Sequence, residues 1–232
     1  MVELKGHAPF TIFGALAGLA FMLFFNKLGR PSAPTLFSIF HPSHVLLSAM
    51  VTASMFGIHR KGKNVIYILI IGYFGSVGIA TLSDSVIPFI GERLTGLHVP
   101  SHAEVHNEGE HHHGDEMEDN SGLHLGFIED WYIVNPAAIL GVLIAYFLPR
   151  TKFPHAAHVL ISTWASSAHI LMNTAGDITV GIIAAIFVIL FIAVWLPCCI
   201  SDIVFPLLFV ESDLKMKEQC LCHERHSHSH ID

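Results

Sequence analysis

The chain has 232 residues, 52% of them hydrophobic and 13% charged, with 18 histidines and a formal net charge of −7. That balance excludes a nucleic-acid partner, which would need a basic surface. The chain also has no Walker or dinucleotide-binding fingerprint, which argues against a nucleotide-driven pump or a nicotinamide enzyme.

A membrane-spanning helix needs about 20 predominantly apolar residues. Four runs without Lys, Arg, Asp or Glu approach or exceed that length, at 8–25, 65–83, 131–149 and 178–201. Two further runs, 41–58 and 153–173, carry histidines and serines but also lack those four residue types. Six transmembrane helices are therefore expected. The first run is too long for the core of a signal peptide and continues into Lys27 and Arg30 without a small-residue cleavage site, which predicts a retained helix.

Basic residues set the orientation. Arg60, Lys61 and Lys63, then Arg150 and Lys152, then Lys215, Lys217 and Arg225 all fall on one side, which predicts cytoplasmic termini in a plasma (inner) membrane. Lys27 and Arg30 oppose this weakly. The segment 91–130 is expected outside; it holds ten acidic residues, one arginine and seven histidines and reads as a disordered collector of divalent cations.

Two stretches repeat each other. At an offset of 114 residues, His41, His44 and Ser48 match His155, His158 and Ser162. At an offset of 118, SDSVIP from Ser83 matches SDIVFP from Ser201, pairing Asp84 with Asp202 and Pro88 with Pro206. The first and fourth helices share only small residues, Gly14, Ala15, Ala17 and Gly18 against Ala137, Ala138 and Gly141, which allow close packing. The predicted fold is all-α: a three-helix unit at 1–90, the external loop 91–130, a second unit at 131–210 and a cytoplasmic tail at 211–232. Three is odd, so the second unit inserts inverted, the architecture in which secondary transporters build a path between repeats.

Ionisable residues within a membrane are costly and point to function. On the predicted topology His41, His44 and Asp84 lie near the outer face, and His155, His158 and Asp202 near the inner face, giving two equivalent sites at opposite mouths. Histidines three apart share a helix face and can converge on one ion. Histidine with carboxylate suits zinc and also nickel, cobalt, manganese or iron, and Cys198 or Cys199, beside Asp202, favours the softer, zinc-like choices at the inner site. Ser48, Ser162 and Ser166 line the intervening path, and His169, whose counterpart in the first unit is Met55, is a further candidate metal ligand in the outer half of the membrane, for the outer site or a central one. Pro88 and Pro206 are expected to break or kink their helices. In the tail, Cys220, Cys222 and His223, with His226, form a further ligand cluster on the reducing side. The bland alternative is that the paired histidines cap helix starts or meet headgroups, and the prolines simply end helices.

The functional expectation is a transporter or channel for a divalent transition metal, zinc-like, with the ion and the lipid bilayer as partners and a homo-oligomer left open. The alternatives are an intramembrane metal-dependent hydrolase, or an assembly factor that holds metal or haem. A hydrolase needs one converged site, so the placement at opposite faces weighs against an enzyme.

Overall fold

Charge-free runs of this length satisfy their backbone in lipid only by becoming helices. The computed structural model describes residues 2–28, 32–59, 64–96, 126–149, 152–174, 179–200, 205 and 208–209. Among these are six long helices: α1 (Val2–Leu28), α2 (Ala33–His59), α3 (Val65–Thr95), α4 (Trp131–Phe147), α5 (Lys152–Asn173) and α6 (Val180–Cys199). A single helical turn, Gly126–Glu129, precedes α4. The side chain of Asn64 accepts from Ile66 N–H to start α3, that of Thr179 accepts from Ile182 N–H to start α6, and Gly96, with φ of 70°, closes α3.

Within the described residues α1, α2, α3 and α6 are long and apolar enough to cross a membrane, and α4 is a shorter apolar helix. The chain is thus an integral membrane protein. Its polarity runs inside out. Phe13, Phe24, Ile66, Phe74, Trp131 and Val188 face outward, whereas His41, His44, Asp84, His158, Ser162 and His169 are buried. Most of the enclosed polar groups lie on α2 and α5, which pack on each other at the centre. Around them α1 packs on α5 and α6, and α4 packs on α2 and α3. We call the end where α1, α3 and α5 finish the upper end and the other the lower end.

Small residues bring these helices together. A Cβ on Gly141 of α4 would lie 2.3 Å from the Leu46 carbonyl oxygen of α2. One on Gly18 of α1 would lie 2.8 Å from Ser167 Oγ and 3.0 Å from the Thr163 carbonyl oxygen of α5. At Gly141 the neighbouring backbone leaves no room for a larger residue, and at Gly18 a Cβ would require Ser167 to move.

Two helices exceed their expected limits. α2 begins at Ala33, ahead of His41, because the apolar segment APTLFSIF continues the helix upward. α3 does not stop after Asp84 or break at Pro88. It widens into a π turn over Leu82–Val86 and resumes to Thr95. In that turn Ile87 N–H reaches the Leu82 carbonyl. The next bond in the same register would run from residue 88 to the Ser83 carbonyl, and Pro88 has no N–H to give. The Ser166 hydroxyl of α5 fills the gap, lying 3.1 Å from the Ser83 oxygen and 2.9 Å from the Ser162 carbonyl one turn back. Ile200, directly after α6, is itself in a π turn, 118 residues beyond Leu82.

Gly141→Ala should lower thermal stability in detergent by about 1–3 kcal/mol, the cost of overpacking against rigid backbone. Gly78→Ala, where a Cβ meets nothing within 4 Å, should leave the melting midpoint unchanged or slightly raised. Equal midpoints for both variants would contradict the close approach of α4 and α2.

Candidate metal centre

The π turn turns Ser83, Asp84 and Ser85 into the bundle, where all three are buried. Such turns recur at functional sites because they re-aim side chains within an otherwise regular helix. His41 and His44, three apart on α2, share the face opposite. Asp84 Oδ2 accepts from Nδ1 of His41 at 2.9 Å and from Nδ1 of His44 at 2.8 Å. Its Oδ1 accepts from the Ser162 hydroxyl at 3.0 Å, and Ser162 Oγ lies 2.8 Å from Ser83 Oγ. Both carboxylate oxygens are therefore engaged, as burial of an anionic group requires. With each Nδ1–H directed at the carboxylate, each ring keeps its Nε2 lone pair for other use. This is the carboxylate–histidine arrangement that orients metal ligands.

The His44 ring lies 5.4 Å from the ring of His158, and His158 lies 5.2 Å from that of His155. Ligand atoms of His44, His158 and Cys198 all fall within 4.8 Å of one another, and all three residues are buried. Two imidazoles and a thiol could hold a metal ion. Three protein ligands leave a fourth position open on a tetrahedral ion.

The expected separation of the two histidine pairs is not found, since His44 and His158 are ring neighbours rather than residues at opposite faces. The reason is helix length. Because α2 starts at Ala33 and α3 runs on to Thr95, His44 and Asp84 lie inside the bundle instead of at its upper edge. His158 lies more than one turn into α5, far enough to reach them. Of the path serines, Ser162 and Ser166 bind the α3 turn and Ser48 is buried on α2. Asp202, Cys220, Cys222, His223 and the segment 97–125 lie outside the described residues.

His169 stands apart from the central group. The Phe37 ring stacks on His41 at 5.1 Å and 6°, and meets His169 edge-on at 5.8 Å and 63°. On its far side His169 Nδ1 is 3.2 Å from Glu92 Oε1, and Asn173 Nδ2 donates to Glu92 Oε2 at 2.9 Å. The sequence had suggested that Glu92 belongs to the external acidic loop, yet it is fully buried on α3. The overlooked signal was spacing: 84, 88 and 92 share one helix face once the helix is allowed to pass Pro88.

Asp84→Asn replaces one of the two accepting oxygens with an amide N–H₂, which faces a donor wherever it turns. Metal affinity of the purified protein should fall about 10–100-fold, the usual loss when a group orienting ligands is removed, with helical content unchanged. Wild-type affinity would show that the carboxylate does not orient these rings.

The chain matches no protein-family model, no curated protein and no solved structure.

Proposed function

We propose that the protein is a transporter or channel for a divalent transition-metal ion, zinc-like, which passes through a central site of His44, His158 and Cys198. One observation carries this reading. Buried polar side chains run between α2, α3 and α5 from Asn173, Glu92 and His169 to His41, Asp84, His44 and His158, interrupted once by the Phe37 ring. His155 follows at the lower end. From Asn173 to His155 along α5 the helical rise is about 27 Å, close to the roughly 30 Å of a bilayer's hydrocarbon core. A packing core does not need a polar file of that length, and lipid makes one expensive.

The sequence repeat, read as an inverted pair of three-helix units, agrees with this reading. Exchanging α1 with α4, α2 with α5 and α3 with α6 turns the packing of α1 on α5 and α6 into that of α4 on α2 and α3. It also superposes the π turn at Leu82 on the one at Ile200. Transporters of this architecture bind substrate near the midplane, at the interface between repeats and beside interrupted helices. A shared site where the two histidine pairs meet agrees with that better than two separate gates do. His41, His44, Asp84 and His158 are at most 1% exposed, the burial expected of a substrate site in a transporter's interior.

Convergence also favours a second reading, an intramembrane hydrolase. Three protein ligands with an open fourth position, and a carboxylate and a serine alongside, are what metal-activated water requires. The two readings separate in proteoliposomes. His44→Ala, His158→Ala and Cys198→Ser should each lower zinc flux at least tenfold, and Phe37→Ala, which opens the file above His41, should raise downhill flux. Protein that binds zinc at these residues yet moves none would defeat transport, and zinc-dependent cleavage of a lipid or peptide by that protein would establish hydrolysis.

A further inference from the structure

Glu92, His169 and Asn173 are each fully buried, and they bond mainly to one another. Two of their polar atoms, His169 Nε2 and Asn173 Oδ1, lack a hydrogen-bond partner. A buried carboxylate facing an imidazole is neutralised by a proton shared between them or by a cation. The distances favour a position that a cation can take. Glu92 Oε1 is 3.2 Å from His169 Nδ1, and Asn173 Nδ2 is 3.3 Å from that same nitrogen. The first is long for a charge-assisted hydrogen bond, and the second is long even for a neutral one. They match the edge of a tetrahedron, about 3.3 Å, around an ion with bonds of 2.0–2.1 Å. Turning the Asn173 amide over would give up its 2.9 Å bond to Glu92 Oε2 and set the orphaned oxygen there, an exchange that a cation held between carboxylate, imidazole nitrogen and amide oxygen would make favourable.

We propose that Glu92, His169 and Asn173 form a second site for a divalent cation, above the central one and partitioned from it by the Phe37 ring. The donor sets differ in kind. The upper site has oxygen and imidazole ligands and suits Mn²⁺, Fe²⁺, Co²⁺ or Zn²⁺, whereas the lower adds the Cys198 thiolate and favours softer ions. The site rests on the transport reading for its place in a path, but its ligands do not depend on that reading.

Cobalt tests this in the full-length protein, because a thiolate ligand gives Co²⁺ a charge-transfer band that oxygen and imidazole ligands do not. Glu92→Gln, nearly isosteric, should lower bound Co²⁺ by one ion per chain and leave the thiolate band at full intensity. His169→Gln should do the same. Cys198→Ser should diminish the band without reproducing that loss, while the tail cysteines contribute equally in every variant. Unchanged cobalt content in both upper-site variants, with melting behaviour like wild type, overturns the second site and leaves the transport reading standing. Loss of the thiolate band in Glu92→Gln also overturns it, since the two sites would then be one. If Cys198→Ser and His44→Ala leave content and spectrum untouched while Glu92→Gln removes an ion, the central site fails and the upper one stands.

Discussion

The Asp84 carboxylate, held in the middle of a membrane protein by two imidazoles and a hydroxyl, is the constraint around which the rest is arranged. A lone carboxylate at this depth would be costly. Three donors on two different helices, His41 and His44 on α2 and Ser162 on α5, make it sustainable. Because those donors come from α2 and α5, Asp84 fixes the relative height of the two central helices. It thereby brings His158 beside His44. The ring contact between the histidine pairs thus follows from one carboxylate.

Asp84 reaches that position through a local departure from regular helix. The π turn inserts the extra residue that directs Ser83, Asp84 and Ser85 inward together, and Pro88 prevents the next bond of that register from closing. The Ser83 carbonyl left over would be an orphan in an apolar interior, and Ser166 of α5 supplies its donor. The motif SDSVIP and the serines of α5 therefore act as one unit. The small residues of α1 and α4 then let the apolar outer helices close on the polar pair tightly enough to shield it from lipid.

The six helices were legible because absence of charge over about 20 residues has few other outcomes. The grouping of His41, His44 and Asp84 was legible too, since spacing and repetition both pointed to it. Depth was not. Reading α2 from its first histidine and ending α3 at its first aspartate treated ionisable residues as boundaries, the natural inference when polarity marks the membrane surface. Here polarity marks the interior, so the same residues lie near the middle of longer helices. Glu92 was misplaced by the same logic, as one acidic residue at the edge of an acidic loop. Periodicity alone would have put it on the Asp84 face.

The upper half of the polar file breaks the sequence repeat that generates the centre. The position 114 residues before His169 is Met55, and the position 118 after Glu92 is Val210. Two halves descended from one unit would begin with equal polarity at both ends, so this difference is specific to one end. On the proposed transport reading, carboxylate, imidazole and amide at the upper end would lower the cost of removing water from an ion before it reached Phe37. In sequence, Met55 and Val210 carry no such ligand groups, whereas the position matching Asn173 is His59. On that reading the two routes to the central histidines would be unequal in ion affinity, although the sequence repeat matches His41 and His44 with His155 and His158. In a proposed alternating-access cycle, that inequality would let the two ends differ in how readily they load and release an ion without any change to the central ligands.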